Sequence, residues 1–239
     1  MNRYTYLIFG VALFCLATAY ASSNSVSPET FVPPKGAFDI PDTAPETVIT
    51  ANRLSLKDGI ALLEGAVNVK RENETLTCGK AIVSNEPRWM LASITPRIYR
   101  KDNIDERKVI QELNLEAKNI FASDSEGRLN ASSSVYVRVE ERSWDLASFT
   151  WAVITSDDLL AFRESERVIF SGNVKFRDEE SYGEGNRLDY AQKLGLLILS
   201  GNAFMEVKEI DPDTGKKEPR ILKGNVITYN TTTREAVSE

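Results

Sequence analysis

The chain has 239 residues, 42% hydrophobic and 27% charged, the composition of an ordinary globular protein with room for one large domain or two small ones. Its formal net charge is −6, so it lacks the clustered Lys and Arg of a nucleic-acid binder. It contains no histidine, which excludes Ser-His-Asp and Cys-His catalysis, removes the commonest metal ligand and leaves no cofactor to expect.

The first 21 residues have the three-part layout of a secretory signal. Arg3 supplies a positive charge, residues 7–19 (LIFGVALFCLATA) are apolar, and Ala19-Tyr20-Ala21 is a small-x-small site before Ser22 and Ser23. The apolar run is short of the roughly 20 residues that span a bilayer. Cleavage near Ala21 and export are expected, with retention as a membrane anchor the alternative. Cleavage removes Cys15 and leaves Cys78 as the single cysteine. No internal disulfide then forms, the core alone holds the domain, and Cys78 reads as a small hydrophobe in a strand.

Residues 22–47 read as an extended leader or linker. Pro28, Pro33, Pro34, Pro41 and Pro45 forbid a helix or a central strand there, while Phe31, Phe38 and Ile40 are positioned to dock onto the domain. From residue 48 to 239 the texture is that of a β domain. Short runs alternate apolar and polar residues between Gly, Asn and Asp, and segments such as Val135-Tyr136-Val137-Arg138-Val139 favour strands. Residues 113–121 fit both a helix and an alternating strand; the neighbouring strands favour the strand. Residues 86–108, with Pro87, Pro96 and a charged run, read as a loop or irregular excursion.

Four related phrases recur: LLEGAVNV (62–69), IFSGNVKF (169–176), ILSGNAFM (198–205) and ILKGNVIT (221–228). Aligned on Gly65, Gly172, Gly201 and Gly224, each places apolar residues two before and two after the glycine, and the first three place another four after it. These are Leu63, Val67 and Val69; Phe170, Val174 and Phe176; Leu199, Ala203 and Met205; Leu222 and Val226, with Thr228 ending the fourth phrase. Even spacing puts them on one face of a strand. The glycine permits a bulge or a close approach, unless Gly-Asn makes a two-residue hairpin turn. Glycine intervals of 29 and 23 residues suit a strand-turn-strand unit that must stack to bury its stripe. Two facing sheets follow, enclosing either a filled sandwich core or a groove that holds lipid.

These residues resemble the OstA-like repeat of the lipopolysaccharide transport (Lpt) proteins. Thr50-Ala51-Asn52-Arg53-Leu54 opens a unit, Leu63-Glu64-Gly65-Ala66-Val67 forms its centre, and Leu76-Thr77-Cys78-Gly79-Lys80-Ala81 is the return strand. A second copy starts at Ile154 and returns through Tyr182-Gly183-Glu184-Gly185-Asn186-Arg187-Leu188-Asp189-Tyr190. Residues 48–86 and 150–239 carry the resemblance, and 87–149 match weakly. The resemblance implies an all-β, elongated jellyroll of stacked antiparallel strands, open at both ends. It also implies a periplasmic bridge that carries lipopolysaccharide, or a similar lipid, between membranes, its acyl chains in the apolar interior. Partners would be similar jellyrolls of the inner and outer membrane, or further copies head to tail. The membrane-anchored member of the pathway is the alternative if residues 1–21 are retained.

Residues 221–229 are expected at an open edge, because the remaining ten residues, 230–239, look too polar to pair back. Ile221, Val226, Ile227, Thr228 and Tyr229 are therefore the candidate assembly strand. Two other classes compete. A glycosidase would use carboxylate pairs, but Glu140-Glu141, Asp157-Asp158 and Glu179-Glu180 are sequence neighbours, and neighbours in a strand face opposite ways. A structural or adhesive β-solenoid would have a filled interior and no ligand.

Overall fold

The computed structural model describes residues 29–31, 47–104, 108–210, 217–231, 233 and 235–239. The expected signal segment and nearly all of the Pro-rich leader, with Phe38 and Ile40, lie outside these residues.

Among the described residues, sixteen strands form one sheet. They are β1 (Glu29–Phe31), β2 (Thr47–Ala51), β3 (Arg53–Lys57), β4 (Ile60–Arg71), β5 (Glu74–Asn85), β6 (Arg88–Ser93), β7 (Arg97–Ile104), β8 (Val109–Glu116), β9 (Asn119–Ser123), β10 (Arg128–Ser143), β11 (Phe149–Phe162), β12 (Arg167–Asp178), β13 (Ser181–Ala191), β14 (Leu196–Ile210), β15 (Lys217–Asn230) and β16 (Ala236–Ser238). All pairings are antiparallel. Three successive pairs, β2 with β3, β6 with β7 and β8 with β9, are halves of one interrupted strand, because both halves pair with the same neighbouring strands. Counted this way, the sheet is a pure meander in which each long strand lies between its sequence neighbours.

A seam crosses every long strand near its middle. On alternate strands two successive residues have positive φ: Gly65–Ala66, Ile94–Thr95, Ser133–Ser134, Gly172–Asn173 and Gly201–Asn202. The strands between them carry no such pair. In β4, β10, β12 and β14 the ladder shifts there by one residue; for example, Glu64 pairs with Lys80 but Val67 with Cys78. These are β-bulges, which bend a strand and sharpen its twist. The Gly-Asn pairs thus have the φ signs of a two-residue hairpin turn, yet the strand runs on through them.

The glycines serve a second purpose at this seam. A Cβ on Gly65 would lie 2.9 Å from Nδ2 of Asn52, one on Gly172 would enter the Asp157 carboxylate, and one on Gly201 would lie 2.8 Å from Cβ of Asn186. Each bulge glycine makes room for an Asn or Asp side chain of the preceding strand. Asp157 also accepts a 2.8 Å hydrogen bond from Nδ2 of Asn173.

The seam divides the sheet into two arms. Arm A contains β3, β6, β9 and β16, and arm B contains β1, β2, β7 and β8; the remaining strands pass through both. Inner faces of the two arms share one hydrophobic cluster. Bulged strands keep their sequence parity across the seam, so Leu63 and Val67 are both buried. Unbulged strands flip it: Cys78 and then Ala81 are buried in β5.

Within the segment expected to be a loop, residues 86–104 are not one. They supply β6 and β7, whose seam pair is Ile94–Thr95 followed by buried Pro96. The bulge here is built without glycine; the neighbouring Gly79 yields the space instead, since a Cβ there would lie 2.7 Å from Cγ2 of Ile94. Residues 113–121 are strand, as alternation favoured, broken between β8 and β9.

The C-terminal residues do pair back. Ala236, Val237 and Ser238 form β16 against Tyr229, Thr228 and Ile227. Main-chain groups at the seam complete this edge, with the N–H groups of Asn225 and Val226 both donating to the carbonyl of Glu239. Polarity did not prevent this, because a ladder needs backbone groups and only Ala236 of the three has to enter the core.

Candidate functional site: an apolar interior with a polar lip

Cross-strand register turns the separate stripes into two continuous apolar rows. In arm B the row passes from Val69 through Leu76, Ile98, Leu115, Val137, Ile154, Phe176, Gly183 and Met205 to Leu222, each directly opposite the next. In arm A the row includes Leu63, Ala81, Ala92, Ile120, Leu159, Phe170, Leu188, Leu199 and Ile227. At about 4.8 Å per strand, each row extends roughly 40 Å across the strands. Bulged strands put the apolar members of a repeat phrase into both rows, which is why the phrases were visible in the sequence.

Ten of the eleven expected interior residues are buried: Leu63, Val67, Val69, Phe170, Val174, Phe176, Leu199, Ala203, Met205 and Leu222. Val226 is not; it is only half-buried, and Ile227 and Tyr229 take the inward positions. The fourth phrase looks like the others but lies on an unbulged strand, where Gly224 has no positive φ. Without the extra residue, parity flips after the glycine. Sequence reasoning missed the unbulged partners, including Leu76, Leu115 and Leu188, because their buried residues change parity in mid-strand.

The lip of arm B, farthest from the seam, is polar on its inner face. Glu74 is on the same face of β5 as Leu76 and Cys78, and Gln111 is on the same face of β8 as Leu113 and Leu115; both are only 6% exposed. Arg100 stands opposite Glu74, and Asp102 opposite Gln111. Arg100 pairs with Asp102 at 2.7 Å, and Nδ2 of Asn73 also donates to Asp102. Burial pushes the Glu74 carboxyl up to about 8, against the opposing pull of Arg100. Oε1 of Glu74, Nε of Arg100 and Nε2 of Gln111 are buried without a hydrogen-bond partner.

Other buried titratable groups serve the fold. The Asp178 carboxylate caps the β12–β13 turn, accepting from the N–H groups of Glu180 (2.8 Å) and Ser181 (2.5 Å). Asp189 lies between Arg167 and Arg187, which hold its carboxyl below the usual range despite its burial. Cys78 is a buried strand residue whose thiol burial pushes up to about 11. The carboxylate doublets do not converge: Glu140 is engaged by Arg138 and Arg142, and Asp157 by Asn173.

The two ends of the meander are covered in complementary fashion. At the N-terminal end β1 covers β2 in arm B, while β3 in arm A pairs only with β4. At the C-terminal end β16 covers arm A of β15, while residues 217–222 in arm B pair only with β14. Among the described residues, therefore, one uncovered strand edge lies at each end, in opposite arms. Of the candidate assembly residues, Ile221 lies on an uncovered segment, and Ile227, Thr228 and Tyr229 are paired on both sides.

The family model described as LptA/(LptD N-terminal domain) LPS transport protein matches residues 48–235. Among solved structures the chain is similar to LptH of Pseudomonas aeruginosa, the LptA homologous periplasmic component of the lipopolysaccharide transport device. That likeness has 13% identity and a TM-score of 0.29, over 74% of this chain and 92% of that one. None of the curated proteins matches this chain.

Proposed function

Since this chain belongs to the LptA/(LptD N-terminal domain) family of LPS transport proteins, we propose that it is a non-enzymatic periplasmic bridge that carries lipopolysaccharide between the two membranes, its acyl chains in the space between the arms. The observation that carries this reading is the pair of uninterrupted apolar rows running perpendicular to the strands. A row of that kind offers a chain the same apolar contact at every strand, so movement along it leaves no apolar surface newly exposed to water. Export follows from the apolar run 7–19 and the Ala19-Tyr20-Ala21 site, and N-terminal sequencing that begins at Ser22 supports the soluble form over the anchored one.

Assembly is head to tail. Among the described residues each arm contains twelve strands in antiparallel order, so the last strand of one copy runs opposite to the first strand of the next, and stacking continues the alternation. The complementary coverage fits this arrangement. β16 of one copy and β1 of the next would lie in line, one in each arm, and together fill a single strand position at the junction. Main-chain hydrogen bonds would supply affinity, as in other strand additions.

The test is native mass spectrometry of protein taken from a cell envelope. A co-purified lipid in the wild type, lost in folded Phe176→Asp and Met205→Asp variants, is the expected result, because an unpaired charge in the apolar row is costly. Lipid retained by both variants would sink the interior as its binding site.

A further inference from the structure

We propose that Glu74 and Gln111 form a polar binding site at the lip of arm B, which takes an uncharged hydrogen-bonding group, a hydroxyl or an amide, carried on an apolar chain. This rests on the reading that the interior accepts acyl chains and adds where the polar end of such a chain is held.

The observations concern partnerless atoms at the lip, Oε1 of Glu74 and Nε2 of Gln111, beside which Nε of Arg100 is paired with Asp102 by charge at 2.7 Å but also lacks a hydrogen bond. Glu74 and Gln111 are only 6% exposed. Leaving such atoms unsatisfied costs on the order of 1–3 kcal/mol each, and native proteins rarely do so without a use for them. Both residues are on the core-facing side of their strands. The next residues inward, Leu76 on β5 and Leu113 and Leu115 on β8, are apolar and buried. An amphiphile entering from the lip, chain first toward the seam, therefore brings its polar group beside these atoms.

The local charges decide the class of that group. Arg100 and Asp102 neutralise each other at 2.7 Å, so neither presents a net charge to a ligand. Glu74 holds its proton through neutral pH, its carboxyl being pushed up to about 8. A protonated carboxyl both donates and accepts, and a Gln amide nitrogen donates. A hydroxyl or an amide can satisfy either group. A cation would find a proton-bearing carboxyl and no net negative charge, and an anion no net positive charge.

The experiment uses the full exported chain and twelve-carbon probes differing only at one end: dodecane, 1-dodecanol, N-methyldodecanamide and dodecyltrimethylammonium. Affinities are read by displacement of a dansyl-labelled dodecyl chain. In a Glu74→Leu/Gln111→Leu variant, 1-dodecanol and the amide should bind about tenfold more weakly than in the wild type, the worth of one to two buried hydrogen bonds, while dodecane is unchanged. Glu74→Gln keeps a donor and an acceptor, so it should restore most of the affinity and guard against a folding artefact. Equal behaviour of dodecane and 1-dodecanol across these variants would overturn the polar site and leave chain binding standing; the orphan atoms would then hold only water. Tighter binding of dodecyltrimethylammonium by the wild type than by Glu74→Gln would overturn the assignment to uncharged groups. Failure of every probe, dodecane included, would refute the interior as a chain site and the lip site with it.

Discussion

Asn186 occupies the space that a side chain on Gly201 would need: a Cβ there would lie 2.8 Å from Cβ of Asn186. The glycine also has φ +75°, which an L side chain adopts at a cost of about 1–2 kcal/mol. Gly201→Ala should therefore destabilise the fold by about 1–3 kcal/mol. Adding Asn186→Gly should recover the steric share but not the backbone share. Urea unfolding of the two single variants and the double variant measures the coupling; strict additivity would show that the two residues do not compete for space.

The parity flip in β15 makes a sharp contrast between adjacent residues. Ile227 is fully buried, whereas Val226 points away from the core. Ile227→Ala should cost about 2–5 kcal/mol through lost burial and the cavity left behind, and Val226→Ala less than about 1 kcal/mol. Comparable losses at the two positions would contradict the register of Leu199 with Ile227.

That contrast also marks where the sequence stopped being legible. Strand class, the repeat and the interior stripe were readable in β4, β12 and β14 because a bulge keeps the apolar residues in even spacing across the seam. In β15 the same letters stand on an unbulged strand, so the rule of even spacing points to Val226 when the core needs Ile227. The middle section looked irregular because Ile94–Thr95 and Ser133–Ser134 adopt the positive φ usually marked by Gly or Asn. Neighbouring strands impose that conformation, and no local signal announces it. Glu74 and Gln111 were invisible as a pair, since strands 37 residues apart in numbering (74 and 111) bring them to one lip only through the β5–β7–β8 register.

A buried carboxyl that holds its proton makes stability depend on pH. In the unfolded chain Glu74 loses its proton near the ordinary value of 4.5, and in the folded chain only near 8. The folded state thus binds more protons between these values, and its stability falls as pH rises through that window. Glu74→Gln should remove this dependence and be the more stable form at pH 9, by an amount on the order of a few kcal/mol. Urea midpoints of both proteins at pH 4, 6.5 and 9 test this; parallel curves would show that Glu74 ionises freely in the fold.

The uncovered segment of β15 can be probed by proline. Pro219 already sits in this strand opposite Lys208, which an edge strand tolerates when the missing N–H faces outward. Ile221 shares its parity, so Ile221→Pro should leave pairing with β14 intact and remove an outward donor. Arg220→Pro should instead break a hydrogen bond to β14 and lower stability. Light scattering over a concentration series should show weakened self-association for Ile221→Pro with the unfolding midpoint kept. Unchanged association in that variant would place the contact elsewhere.

The alternation of bulged and unbulged strands along the seam limits how a protein of this kind can change its length. Losing or gaining one strand would set two like strands side by side, mismatch their registers by a residue and turn the apolar face of everything downstream toward water. A pair of strands can be added or removed without that penalty, since direction and bulge type both return after two. Length along the meander is therefore counted in whole hairpins, about 10 Å at a time, and a lineage that needs a slightly longer row must duplicate a hairpin.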